Sequence, residues 1–155
     1  PEFIFFNNDG EEYYRCGVKD SAGMARAMDE ANKRYGPKEI GWTAYDDETL
    51  KAAKEGGKLV LIAFVDGSKE SESSLKSLED RTLVKFHEKI AFLKAEFRKD
   101  GEVEKKWGVT SALTFLLVDP TKDGKPLEKL TGKRAVGHWK SPISKSLKAI
   151  EKSGR

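Results

Sequence analysis

The end of the chain repeats the pattern of its beginning. At the beginning, apolar residues 3–6 and the segment 12–16 flank the turn sequence Asn-Asn-Asp-Gly, and a helical pattern of apolar residues starts at Ser21. Asp-Gly between two apolar segments is a strong hairpin signal. A hairpin and one helix bury too little apolar surface to be stable alone. Residues 1–36 are therefore expected to pack against something else.

The same succession returns near the C-terminus. The apolar segment 114–118 is followed by a turn-rich stretch, the segment 127–131, Gly132 and a helical pattern from Ser141. This second copy is preceded by further strand and helix patterns, whereas residues 1–36 have none before them. The chain is therefore predicted to consist of the C-terminal part of one domain, followed in sequence by one complete domain.

The middle of the chain alternates helix and strand patterns. The continuously apolar run 59–65 is rich in branched residues, which is typical of a central strand covered on both faces. Helices are predicted over 46–55, 71–87 and 102–107, and a further strand over 90–97. This alternation predicts an α/β fold with a mixed sheet, parallel crossovers and an antiparallel hairpin at one edge.

Glycine and proline mark the boundary between the two parts. The segment 36–41 contains two glycines and Pro37 and follows the first helical pattern, as expected of a linker. The predicted organisation is a partial unit at 1–36 and a complete domain at 37–155.

The charge is distributed unevenly. The formal net charge is +3, and residues 122–155 contain ten basic and three acidic side chains, so the rest of the chain is net acidic. A solvated lysine-rich surface explains this basic end, because no platform of aromatic residues interleaves with the lysines as single-strand binders require. Neither nucleic acid nor a membrane is expected as a partner, and no apolar run is long enough to cross a bilayer.

The chain has one cysteine, Cys16, and two histidines, His87 and His138. A single cysteine excludes an intrachain disulfide and a CxxC pair, and these residues are too few for a His/Cys metal site. Neither a metal nor another cofactor is expected. Cys16 lies in a predicted strand. The simplest interpretation is that it is a small side chain of that strand, and the alternative is that it is a reactive thiol.

The complete domain resembles the thioredoxin-like superfamily. The resemblance covers about residues 40–151 and rests on the order of the elements, on the apolar strand in 58–64, on the segment 107–114, and on Gly132 after the last strand. It implies a thioredoxin-like mixed sheet flanked by helices, preceded here by a β-hairpin and a helix that resemble the last third of a neighbouring copy.

Redox-active members of this superfamily carry a CxxC motif after the apolar strand, where the helix N-terminus stabilises a thiolate. The corresponding loop here contains Ser68, Ser71 and Ser73 and no sulfur. Serine forms no disulfide, and His87 is expected at the far end of the following helix, too distant to activate a serine. Helix capping is the favoured role of these serines. An anion site and phosphorylation of Ser71, Ser73 or Ser77 are alternatives.

The superfamily also places a cis-proline opposite its active site. Leu113 stands at that position in this sequence. Because a cis bond before a non-proline residue costs about 2.5–4 kcal/mol, the Ala112–Leu113 bond is expected to be trans. The sequence therefore resembles a redox-inactive member that lacks both the cysteines and the proline.

The interpretation is a non-catalytic thioredoxin-like domain that serves as a protein-binding or scaffolding module, with no enzyme activity expected. One alternative is an inert partner domain of a thiol-disulfide oxidoreductase whose CxxC lies upstream. Another is a single-thiol redox protein that uses Cys16. A protein partner is expected, and the hairpin is expected either to extend the sheet edge at residues 127–131 or to pair with a second copy in a homodimer. The sequence does not specify a cellular compartment.

Overall fold

A computed structural model describes residues 1–122 and 125–152. The strands are β1 Glu2–Phe6, β2 Glu12–Gly17, β3 Thr43–Ala44, β4 Leu59–Val65, β5 Ile90–Glu96, β6 Thr114–Val118 and β7 Glu128–Thr131. The helices are α1 Ser21–Tyr35, α2 Asp47–Glu55, α3 Lys69–Ser77, α4 Val84–His87, α5 Glu102–Trp107 and α6 Lys140–Lys152. None of the described helices has the length and apolar character that a membrane crossing requires.

Five of the strands form one mixed sheet in the order β3-β5-β4-β6-β7. β5 runs parallel to β3 and β4, whereas β6 runs antiparallel to both β4 and β7. The predicted α/β fold is therefore confirmed, including the mixed sheet, the flanking helices and the preceding hairpin with its helix. The two-residue strand β3 was not predicted, because two residues carry no readable alternation.

The centre of the sheet is β4, and all seven of its residues are buried. Its alternate side chains enter two separate apolar clusters, because successive residues of a strand point to opposite faces. Leu59, Leu61, Ala63 and Val65 join one cluster, which includes Trp139. Val60, Ile62 and Phe64 join the other, with Leu50 and Trp107.

The predicted helix over 71–87 is wrong in its extent. The structure has α3 and the four-residue α4, separated by turns. The interruption has a local cause, since the carboxylate of Asp80 accepts hydrogen bonds from the Thr82 backbone N–H at 3.0 Å and from its hydroxyl at 2.7 Å. Aspartate that bonds to the backbone two residues ahead favours a turn over a continuous helix.

The hairpin of β1 and β2 forms a two-stranded sheet of its own, and among the described strands it pairs with none of the larger sheet. The expected pairing with the edge at 127–131 is therefore not formed. Inside this N-terminal unit (residues 1–36), the Phe5 ring contacts the rings of Tyr13 and Tyr14, and Tyr13 stacks on Tyr35 with centroids 4.9 Å apart. The buried residues Ala27 and Ala31 of α1 belong to neither core cluster of the large sheet.

Charged and polar contacts dock the N-terminal unit on the rest of the chain. The carboxylate of Asp9, in the hairpin turn, accepts hydrogen bonds from the ammonium groups of Lys85 at 2.7 Å and Lys140 at 2.6 Å. On the linker side, the Glu79 side chain accepts from the Ile40 N–H at 3.0 Å, and the Glu79 carbonyl accepts from the Lys38 N–H at 2.9 Å. The docking is polar, and these ion pairs are half-exposed.

We expect Asp9→Asn to loosen this docking. Hydrogen bonds from Lys140 and Lys85 lower the pKa of Asp9 to about 2 from an ordinary 3.8. Because the pKa is lower in the docked state, the stabilisation is present above about pH 3.8 and is lost as the pH falls towards 2. Hydrogen exchange of residues 1–17 at pH 7 and low salt should accelerate in the variant, and added salt should narrow the difference. An unchanged exchange pattern would contradict this role of Asp9.

Candidate functional site: the serine loop after the central strand

The loop that follows β4 carries the predicted serines at the beginning of α3. Ser68 is the N-cap of this helix, and its hydroxyl accepts a hydrogen bond from the Ser71 N–H at 3.2 Å. This is the standard geometry by which a serine satisfies one of the free donors of a first helical turn. Glu70 and Glu72 add negative charge in the same turn, where the helix dipole favours it. We therefore find Ser68 in the capping position that the sequence analysis favoured.

Asp66 holds the two serines together. Its carboxylate accepts hydrogen bonds from the Ser71 hydroxyl at 2.7 Å and from the Ser68 N–H at 3.0 Å. The Ser71 oxygen in turn accepts from the Asp66 N–H at 3.1 Å. Hydrogen bonds from Ser68 and Ser71 lower the pKa of Asp66 to about 2, so this carboxylate is ionised at neutral pH. The loop is thus a closed network around a negative charge, which disfavours a bound anion.

The remaining serines of α3 have separate environments. Ser74 is fully buried, and its hydroxyl accepts a hydrogen bond from the Arg134 N–H at 2.9 Å. Ser77 accepts one from the indole N–H of Trp139 at 2.6 Å, whereas Ser73 is exposed. Three of the four serines from 71 to 77 therefore serve packing and local hydrogen bonding.

His87 does not serve these serines as a base. Its Nε2 lies 2.8 Å from the Leu78 carbonyl, at the opposite end of the α3–α4 segment from Ser68. Nε2 must therefore act as a donor there, because a carbonyl oxygen only accepts. Among the described residues, no histidine or lysine is hydrogen-bonded to Ser68 or Ser71, so the arrangement there offers no activated serine nucleophile.

Leu113 directly precedes β6, and the expectation of a trans peptide bond before it is wrong. The bond between Ala112 and Leu113 is cis. The expectation rested on the intrinsic preference of an isolated bond, whereas here the segment is fixed by its surroundings. The Leu113 carbonyl accepts from the Gly132 N–H at 2.9 Å, the Thr114 hydroxyl donates to the Ser111 carbonyl at 2.7 Å, and the Leu113 side chain is buried.

Solved structures are similar to this chain in their overall fold. A poplar thioredoxin h mutant superposes with a TM-score of 0.56 at 18% identity, covering 77% of this chain and 96% of the other. Chloroplastic thioredoxin z superposes with a TM-score of 0.55 at 12% identity, covering 72% of this chain and 98% of the other. The chain has a thioredoxin-like fold. No protein-family model and no curated protein matches the sequence.

Cys16 lies outside the thioredoxin-like sheet. It is a half-buried residue of β2 and stands opposite Phe3 in the hairpin. The structure therefore does not bring Cys16 together with the serine loop, which belongs to a different sheet. Of the predicted site residues, the structure joins only Ser68 and Ser71, in the loop after β4. Ser73 is exposed, Leu113 is buried, and the Cys16 thiol lies apart from them in the hairpin.

A feature that the sequence analysis missed lies at the carboxyl ends of β3, β4 and β5. An open cleft of about 770 Å³ is lined there by residues that include Tyr45, Gly67 and Glu104. Glu104 is buried, and its Oε1 lies 3.3 Å from the Arg98 backbone N, which donates to it. Its other oxygen has no hydrogen-bond partner among the described residues. Glu104 is the third residue of α5, a position where glutamate reaches back towards the helix start, which accounts for its orientation.

Within residues 1–122 and 125–152, no three His, Cys, Asp or Glu side chains lie close enough to hold a metal ion.

Proposed function

We propose that this chain is a non-catalytic thioredoxin-like module that binds another protein. The observation that carries the proposal is the serine loop, where the two residues at CxxC spacing, Ser68 and Ser71, are joined through Asp66. The helix N-terminus that would stabilise a thiolate carries hydroxyls instead. A serine hydroxyl has no accessible disulfide chemistry, and Ser71 is only 1% exposed.

The capacity to bind protein is supported by the surface of the N-terminal unit. Among the described residues, the exposed large apolar side chains are Ile4, Phe6 and Met28, with exposed fractions of 39%, 57% and 52%. All three lie in residues 1–36, and none lies in the complete thioredoxin-like sheet or its helices. Exposed aromatic and aliphatic side chains gathered in one region are typical of interaction surfaces.

Site-specific photocrosslinking tests the binding role. Benzoylphenylalanine in place of Phe6 should crosslink to another protein chain in cells that express the protein. The same replacement at Phe5 is the matched control, because Phe5 is the neighbouring residue of β1 but is half-buried against Tyr13 and Tyr14. A clear excess of adducts at position 6 supports the proposal. Equal, background-level labelling at both positions contradicts it.

The succession β1-β2-α1 favours a second candidate function. It matches the closing succession β6-β7-α6 of the complete unit, in which β6 also pairs with the central strand β4. The chain would then be the inert partner domain of a thiol-disulfide oxidoreductase whose CxxC lies upstream. Disulfide reductase activity in a longer form of the protein that survives Ser68→Ala and Cys16→Ser would favour this candidate. Its loss in either variant would contradict it.

A further inference from the structure

The cleft at the carboxyl ends of β3, β4 and β5 contains a buried carboxylate whose hydrogen bonding is incomplete. Glu104 lines this cleft and is only 4% exposed. Its Oε1 accepts from the Arg98 backbone N–H at 3.3 Å, which is long for such a bond, and its Oε2 has no partner among the described residues. A buried carboxylate oxygen without a donor is costly, because its hydration is lost and no hydrogen bond replaces it. Among the described residues, Glu104 thus has an acceptor that only a ligand or solvent can satisfy.

Gly101 makes room for this carboxylate in the wall of the cleft. Gly101 is the N-cap residue of α5 and also lines the cleft. A Cβ atom at this position would lie 2.5 Å from Oε2 and 2.9 Å from Oε1 of Glu104, closer than real Cβ atoms come to such neighbours. The φ of Gly101 is −67°, which any residue adopts. Space for the carboxylate, and not the backbone conformation, therefore favours glycine here.

The charges around the cleft favour a ligand with one positive charge. The exposed charged side chains that line it are two basic and two acidic ones, Lys94, Arg98, Glu96 and Glu102. These four balance, so Glu104 leaves the cleft with a net negative charge. Because Oε1 already accepts from the backbone, one oxygen remains for a ligand. A single acceptor suits the compact ammonium group better than the planar guanidinium fork, which bonds best to both oxygens of a carboxylate.

We propose that the cleft binds the ammonium group of a lysine side chain of the bound protein, with Oε2 of Glu104 as its acceptor. The inference rests on the proposed protein-binding function and names the group that the bound protein presents. The terminal torsion of a glutamate is soft, so the carboxyl group can turn Oε2 towards the ligand.

The walls and the size of the cleft suit a lysine within a peptide. The alkyl part of a lysine side chain covers apolar surface while its ammonium group bonds elsewhere. Apolar side chains that line the cleft are those of Ala44, Val65, Ala95 and Val103. The volume of about 770 Å³ is that of a site for a ligand larger than one side chain, which leaves room for the adjoining backbone of the bound protein.

Titration with lysine derivatives, followed by NMR, tests the site. Nα-acetyl-lysine-N-methylamide should shift the backbone amide signals of residues 96–104 in a saturable manner. The norleucine analogue, which has the same carbon chain and no ammonium group, should not. Butylamine, which carries the ammonium group without the peptide groups, should bind more weakly than the lysine derivative.

Two variants alter the carboxylate in different ways. Glu104→Gln should raise the dissociation constant of the lysine derivative by roughly tenfold or more, because the acceptor loses its charge while the amide oxygen still accepts from Arg98. Gly101→Ala keeps the charge but displaces the carboxylate, and it should weaken binding by a similar factor. Glu88→Gln is the matched control, since Glu88 is an exposed glutamate just before β5, at the opposite end of this strand from the cleft.

The outcomes separate this inference from the proposed function. Binding that both cleft variants weaken and Glu88→Gln leaves unchanged supports the lysine site. An unchanged affinity in a folded cleft variant, equal weakening by Glu88→Gln, or equal shifts with the norleucine analogue overturns it. Butylamine that binds as tightly as the lysine derivative overturns a peptide lysine as the source of the ammonium group. Crosslinks at Phe6 without saturable binding of the lysine derivative show that solvent alone satisfies Oε2, which overturns the lysine site and leaves the binding role standing.

Discussion

A variant that carries both Ser68→Cys and Ser71→Cys should reduce insulin disulfides at a rate roughly tenfold or more above that of the unchanged chain. The two positions have CxxC spacing at the first turn of α3, where unpaired N–H groups and the helix dipole stabilise a thiolate. The nearby Asp66 carboxylate opposes thiolate formation. Adding Asp66→Asn to the pair should therefore raise the rate further.

The matched control for this gain of activity is the pair Ser68→Cys and Ser73→Cys. It introduces the same number of thiols, but Ser73 is exposed and stands five residues from Ser68 instead of three. Only the 68/71 pair should form an intramolecular disulfide and turn over. If both pairs behave alike, or if the 68/71 pair is folded and inactive, the serine loop is not the counterpart of a redox loop.

The second large effect is expected at Trp139. Its side chain is 0% exposed, its ring meets Phe115 edge-on with centroids 4.9 Å apart, and its indole donates to the Ser77 hydroxyl at 2.6 Å. Trp139→Ala should lower the free energy of unfolding by about 3–5 kcal/mol, as measured by chemical denaturation. Ser77→Ala removes the hydroxyl that accepts this bond and that also donates to the Ser74 carbonyl, and it should cost about 1–3 kcal/mol. A loss below about 1 kcal/mol in Trp139→Ala would contradict a core position.

Trp139 also shows a limit of the sequence analysis. It lies among Gly137, His138 and Pro142, a composition typical of a loop, and such a composition does not indicate whether the indole is buried or exposed. The structure places it in the core cluster of β4. Local composition indicates an irregular backbone, but it does not tell which side chain of that segment turns inward. That depends on contact with Ser77, 62 residues away in sequence.

The central architecture was readable because its signals are local and strong. The apolar run of β4 predicted a strand covered on both faces, and both core clusters meet there. The Asn-Asn-Asp-Gly sequence predicted the first hairpin. Asp20 and Asp46 are the N-cap residues of α1 and α2. These features depend on side-chain periodicity and on capping, which are properties of short segments.

The features that could not be predicted depend on distant parts of the chain. The cis bond before Leu113 lies in a segment held by a hydrogen bond from Gly132. The Glu104 oxygen that lacks a partner among the described residues depends on how α5 meets the ends of three strands. The docking of Asp9 needs two lysines from separate elements. Tertiary contacts between such distant residues leave no pattern within a short segment of sequence.

The most direct test of the central claim is the insulin reduction assay on the unchanged chain beside its Cys16→Ser variant, each with dithiothreitol as the electron donor. Both should show no turnover above the dithiothreitol background, because under the proposed function Ser68 and Ser71 replace the redox cysteines, and Cys16 lies in another sheet. Activity above background that persists in the Cys16→Ser variant would contradict the claim that this thioredoxin-like chain is non-catalytic.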